Sequence, residues 1–442
     1  MSAVARTGRL YYGWVVAWVG FGVLTLTYGV QFSFGIALPY IVEDLGISRS
    51  KASLAFSLYV LVYSALSSVS GSITDRKGPK VVLAGGAVLL GVGYVLTALA
   101  QTYWQLLVAL GLVAGLGMSA SFVPCNATVV RWFVRKRGKA LSVSTSGGSV
   151  AAIIVPFVVG RLADRVDWRT LYVGMAVVVL VGLGVAAWLI ERDPEAKGLT
   201  VDDEMGGDGS GRSPSAGAAD APLTPLADES SLTAREASRT AVFWVMGGIF
   251  LCSWLVVFLP LVHLSPFAKD LGASAGLASS LVSAVGIGGL AGRTMTGGLS
   301  DRIGRLPALG AVLATQVASF LVFAGTGRLA VLFPAAVAFG FGYGGTTTVF
   351  PAIVGDRFGR AHAGAIVGLV FAGSGSAAAV GPFVAAWIHD VTGSYRIAFL
   401  LSAAVNGLAL LLVFALGALI RRADAQPAAP LDLQPPAAAP AG

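Results

Sequence analysis

The chain has 442 residues, 56% of them hydrophobic and 12% charged. Soluble globular proteins carry about 25% charged residues, so a water-soluble enzyme or binding module is excluded. The net charge of +8 is scattered over short loops and does not form one basic face, which argues against a nucleic-acid partner.

A run of about 20 apolar residues crosses a bilayer as a helix. Twelve such spans are predicted in chain order, at 12–40, 52–73, 81–100, 104–130, 138–160, 170–190, 241–267, 277–299, 307–325, 329–354, 363–388 and 396–420. The basic stretch from Arg6 to Arg9 is followed by no evident small-residue cleavage site, so the first span is expected to remain as an uncleaved helix. Lys and Arg crowd into alternate loops, most densely between Arg131 and Lys139. The positive-inside rule then places both termini in the cytoplasm. Cys125 and Cys252 lie in spans and read as small packing residues, with no disulfide or metal role.

Residues 1–192 hold the first six spans and residues 241–421 the last six. Between them, 193–240 is rich in Gly, Ser, Ala and Asp and is expected to be a flexible cytoplasmic linker. It ends in a short interfacial helix opened by a capping box, Thr233 to Glu236. The Ala/Pro-rich stretch 422–442 is expected to be a disordered tail.

The two six-span halves repeat each other. Asp44 to Ser48 returns between Asp270 and Ser274, and the run Gly71, Asp75, Arg76, Gly78 returns as Gly297, Asp301, Arg302, Gly304, every member 226 positions later. Parallel halves of this kind put a substrate site near the bilayer midplane between them and alternate access by rocking. The two Asp-Arg-x-Gly loops carry one carboxylate each, too few for a calcium site. Their expected role is mechanical, as charge pairs between the halves that hold one conformation and break in the other.

Arg293 is the only Lys, Arg, Asp or Glu lying well inside a long apolar span. A charge at that depth costs roughly 2.5–3.5 kcal/mol on insertion scales and usually faces a water-filled cavity or a partner. A fixed guanidinium there attracts an anion, and its fork matches a carboxylate; the competing role is helix packing against backbone carbonyls. Gly286, Gly289 and Gly297 share its helix face and are expected to leave room around it. Candidate polar liners are Tyr28, Gln31, Ser119, Ser121, Ser146, Tyr343 and Thr346, each of which could instead tie helices together. Phe122, Phe341 and Phe350 are candidates for an apolar wall or for packing. His263 is the remaining titratable residue within the spans, roughly 20 Å from Arg293 along the membrane normal. Its expected place is the external mouth, as a proton carrier or gate.

The two Asp-Arg-x-Gly loops resemble the loop 2–3 and loop 8–9 motifs of the major facilitator superfamily, which implies an all-α membrane fold of twelve helices in two pseudo-symmetric bundles. The stretch from Trp132 to Ser149 is similar to the loop 4–5 and helix 5 signature of the monocarboxylate transporter family, and Gly13-Trp14 matches the end of its helix 1 signature. Arg293 falls where that family keeps its substrate-binding arginine. Bacterial oxalate/formate exchangers are similar too. The chain departs from these patterns in several places. Gly289 stands where many animal members have a carboxylate, and the first helix has no Lys. No Lys occurs between His362 and His389, where the exchangers carry one, and Gly111 replaces an arginine of some proton-coupled facilitators.

Together these features imply a secondary transporter of small, lactate- or pyruvate-like monocarboxylates, accompanied by a proton, acting as a monomer in a bacterial inner membrane without cofactor or metal. The alternatives are an exchanger of organic anions, a drug or apolar-solute exporter with a structural Arg293, and a nutrient sensor on a transporter scaffold.

Overall fold

The computed structural model describes residues 11–133, 137–200, 232–358 and 363–425. The central stretch of the linker (201–231), most of the tail (426–442), His362 and the side chain of Asp75 lie outside the described residues. Twelve helical crossings are present among the described residues. In the first half they are α1 Tyr12–Leu45, α2 Arg49–Lys77, α3 Pro79–Leu99, α4 Tyr103–Trp132, α5 Arg137–Leu162 and α6 Trp168–Leu189. In the second they are α7 Ala241–Asp270, α8 Ala275–Ile303, α9 Arg305–Gly325, α10 Leu329–Phe358, α11 Ala363–Ala377 with Val380–Thr392, and α12 Arg396–Ala425. An even number of crossings puts both ends of the described chain on one face. Helix α12 runs to Ala425, about one turn into the segment expected to be tail.

Eleven of these helices are long and apolar enough to cross a membrane. The exception is α2, which is 29 residues long but interrupted by serines. It packs against α4 and α11, so neighbouring helices shield part of its polar surface. Trp18, Trp104, Trp188, Trp244, Leu411 and Phe414 point outward, as lipid-facing apolar and interfacial aromatic residues do. The protein is therefore a multi-pass integral membrane protein.

Glycine sets how closely the helices approach. Within the second half, a Cβ on Gly292 would collide with the Phe341 carbonyl oxygen and lie 2.9 Å from the Gly345 nitrogen. Gly288, Gly340 and Gly344 make the same kind of backbone contact along the α8–α10 seam. Overpacking a fitted interface typically costs 1–3 kcal/mol. Gly292→Val is expected at the upper end, about 3 kcal/mol, seen as a lower melting temperature and a poorer yield of monodisperse protein; an unchanged melting temperature would show that the seam can part.

Small residues also line the seams between the halves. Gly35 abuts the Val262 carbonyl, a Cβ on Gly286 would lie 2.7 Å from the Ala152 carbonyl carbon, and Gly160 abuts Ser279. Gly286 thus admits the α5 backbone and does not leave the free space expected of it around Arg293. Gly111 is pressed onto α2, where a Cβ would lie 3.1 Å from the Ala55 carbonyl oxygen, so no arginine fits that position.

The two repeated loops turn on glycines in the left-handed region, Gly78 at φ 86° and Gly304 at φ 93°, and each glycine caps the next helix. Gly71 lies near Val123 and Gly297 near Thr348. Arg76 and Arg302 are exposed. Asp301 pairs with Arg305 at 2.6 Å inside its own half. The pair spans the turn at Gly304, from the end of α8 to the start of α9, so in this conformation the carboxylate is held within its own half, whereas the expected bridge between the halves forms in one conformation and breaks in the other.

Candidate functional site

Arg293 sits on α8, roughly 27 Å of helical rise from Ala275 and 15 Å from Ile303, close to mid-membrane. Its Nε donates to Thr347 Oγ1 at 3.4 Å, and its Nη1 donates to Ser149 Oγ across the seam from α5. The guanidinium carbon is 5.5 Å from the Tyr343 ring centroid, within cation–π range. Among the described residues no carboxylate pairs with it, and Nη2 has no protein acceptor. A guanidinium offers five N–H donors; only two are engaged.

The first half faces this cation with aromatic and amide groups. Tyr28 lies within electrostatic reach of Tyr63, Tyr343 and Arg293, and Gly148 leaves room for its ring on the α5 side. Gln31, one turn further along α1, is 3% exposed. Its amide lies beside the Tyr63 hydroxyl, yet neither amide atom completes a hydrogen bond of normal geometry. Buried polar groups without partners are rare. An amide so placed has hydrogen-bonding capacity left over for a further group.

Arg293, Tyr28, Gln31 and Tyr343 are thus brought together. The other expected liners bond elsewhere. Ser119 joins Ser70 at 2.8 Å and donates to the Leu116 carbonyl, Ser121 donates to Met118 Sδ, and Ser146 donates to the Val143 carbonyl. Thr346 is buried on the far side of α10, bonded to Gln316 and the Gly342 carbonyl. The residue facing Arg293 is its neighbour Thr347, four positions after Tyr343 and therefore on the same helix face. Ser149, three positions after Ser146, is likewise the α5 hydroxyl that reaches the site. Phe350 stacks on Phe250 at 4.0 Å, and Phe122 is exposed.

His263 is fully buried, not open at a mouth. Its Nε2 is 2.8 Å from the Pro382 carbonyl and its Nδ1 is 3.1 Å from the Tyr395 hydroxyl. A carbonyl only accepts, so the geometry assigns the proton to Nε2 and leaves Nδ1 to accept from Tyr395. Burial pushes the Tyr395 phenol well above its usual range, so it keeps the proton it donates. The Tyr395 oxygen accepts from Arg49 Nη1 at 3.1 Å.

Arg49 also makes two 2.6 Å bonds to Asp270, with His389 beside the pair. Arg49 opens α2 and Asp270 closes α7, so this bidentate pair joins the halves at the face opposite the termini. Two carboxylates frame it at the repeat spacing. Asp390 accepts from the Ser50 nitrogen at 2.8 Å, and Asp164 accepts from the Gly276 nitrogen at 3.3 Å. Each half thereby caps a helix N-terminus of the other.

The fold and its unpaired mid-membrane cation describe a transporter, and comparison with known proteins agrees. The model of the Major Facilitator Superfamily matches residues 20–267 and 249–440. The chain belongs to the major facilitator superfamily, whose members are transporters and not enzymes. It is similar to human monocarboxylate transporter 11, with 27% identity over 416 residues covering 88% of this chain and 80% of that one. It is also similar to the oxalate:formate antiporter of Oxalobacter formigenes, with 25% identity covering 91% of each chain. Among solved structures, a bacterial homologue of the human lysosomal transporter Spinster shares the fold at a TM-score of 0.69 and 14% identity, covering 96% of this chain and all of that one. The nucleoside transporter NupG does so at 0.70 and 12%, covering 91% of this chain and 99% of that one.

Proposed function

We propose that the protein carries small monocarboxylates across the membrane by alternating access, with Arg293 holding the carboxylate. The observation that supports this most is the guanidinium itself: at mid-membrane depth, engaged by hydroxyls and a ring but by no carboxylate among the described residues. A half-buried cation at this depth without a counter-charge is costly, and a bound carboxylate would reduce that cost. Tyr28, Gln31 and Tyr343 complete the site, and a single fixed cation suits a singly charged acid. The similarity to a monocarboxylate transporter supports the monocarboxylate class, within which the proposed substrates are small lactate- or pyruvate-like acids.

Carrying a lone anion through a low-dielectric barrier is expensive, so we infer that a proton crosses with the acid. His263 is not its natural carrier. In the arrangement described, both ring nitrogens are already engaged, and Tyr395 connects the ring to the Arg49–Asp270 pair. Its proposed role is to hold the face opposite the termini shut, and the proton then rides on the substrate. The protein would act as a monomer in a bacterial inner membrane, with the terminus-bearing face cytoplasmic. Exchange of organic anions is the second reading, favoured by the absence of a titratable acid bonded to Arg293 among the described residues.

The test is uptake into proteoliposomes of labelled lactate, pyruvate, formate, oxalate and an aromatic acid, with internal pH varied at fixed external pH. Saturable monocarboxylate uptake driven by an inward proton gradient is expected. Uptake indifferent to the gradient but stimulated by internal substrate would replace symport with exchange.

A further inference from the structure

Ser149 has no place in the roles assigned so far except as an acceptor for Arg293. It lies on α5, in the half opposite Arg293, and is 4% exposed. Serine and threonine hydroxyls inside helices commonly give their hydrogen to the carbonyl three or four residues back. Thr145 and Ser146, in the same stretch of α5, do so to Leu141 and Val143. Among the described residues Ser149 donates to no carbonyl; its one bond there is the one it accepts from Arg293 Nη1. Its own hydrogen is therefore free, beside a guanidinium that has N–H groups to spare.

We propose that Ser149 is the second ligand of the transported carboxylate, supplied by the opposite half. The hydroxyl accepts from Arg293 with its lone pair and offers its hydrogen to the oxygen that the guanidinium does not saturate. One carboxylate bonded to both Arg293 and Ser149 adds a second link between α8 and α5 to the direct bond already there. Neutral solutes lacking such an acceptor pair do not make that link. Ser149 is thus a specificity-determining residue for carboxylates. The inference rests on the reading of Arg293 as the carboxylate holder.

The test is the concentration dependence of uptake of the best monocarboxylate in proteoliposomes, for Ser149→Ala and Ser149→Thr, with Arg293→Ala alongside. A hydrogen bond to a charged group corresponds to roughly ten-fold or more in affinity. Ser149→Ala is therefore expected to raise KM about ten-fold with maximal rate changed far less, and Ser149→Thr, which keeps the hydroxyl, to stay near wild-type KM. A fall in maximal rate with KM unchanged would mean that Ser149 only packs the seam, and would overturn the proposal. So would equal effects of Ala and Thr. If Arg293→Ala retains wild-type KM and rate, the carboxylate reading of the site itself fails, and the Ser149 proposal with it. If Arg293→Ala abolishes uptake while Ser149→Ala is silent, only the Ser149 proposal falls.

Discussion

Arg293→Ala is expected to bring carboxylate uptake to background while the protein still inserts and purifies normally. Each hydrogen bond to a charged group contributes about 1.5–3 kcal/mol. Losing a two-pronged grip therefore removes roughly 3–6 kcal/mol, a factor of at least about a hundred. The insertion side is favourable, because the variant deletes the one charge deep in α8. Arg293→Lys keeps the charge but loses the planar fork, along with the Nε that meets Thr347 and the guanidinium lying 5.5 Å from the Tyr343 ring. It is expected to restore less than about a tenth of the rate. Uptake by the Ala variant near the wild-type rate would remove Arg293 from the site.

The second large effect is expected at the face opposite the termini. Arg49→Ala or Asp270→Ala removes one member of the bidentate pair between the halves. The side chains are 17% and 35% exposed, so solvent screens part of the interaction. Allowing for that, the loss is about 1–2 kcal/mol, or roughly a ten-fold shift away from the conformer closed at this face. Transport should slow because the carrier lingers open on that side. Labelling of a cysteine placed behind the pair should rise in parallel. The exchanged pair, Arg49→Asp with Asp270→Arg, should recover part of the rate. Labelling that does not change in either single variant would show that the backbone caps from Asp164 and Asp390 are enough to hold the face shut.

The crossings, the internal repeat and the isolated cation were legible from residue type alone, because bilayer thickness and the cost of a buried charge act on the sequence directly. The turns at Gly78 and Gly304 were legible for a similar reason: a tight reversal there calls for the left-handed region, which glycine enters without strain. The phase of each polar side chain was not. Thr346 and Thr347 differ by one position, about 100° around the helix, and only the second faces Arg293. The i, i+4 relation to Tyr343 contains that information once Tyr343 is known to point inward. The Arg49–Asp270 pair had no local signal. Its members are 221 positions apart, and in the other half the residue equivalent to Asp270, Asp44, pairs with Arg169 inside its own bundle. Docking of two near-equal halves breaks the symmetry, and sequence similarity between the halves hides that. His263 looked interfacial by its distance from the helix end, but Tyr395 and Pro382 cover it.

The glycine seam between α8 and α10 also bears on pharmacology. With backbone against backbone at Gly288, Gly292, Gly340 and Gly344, those two helices have no slack to slide, so Arg293, Tyr343 and Thr347 move as one piece. A compound that touches only those three meets the same surface whichever side of the membrane is open, and a ligand with equal affinity for both states shifts neither population. Such a compound would compete with substrate from both sides and would not freeze the carrier. On the proposed rocking of the halves, trapping one state would require a molecule long enough to reach Tyr28, Tyr63 or Ser149 on the opposite half.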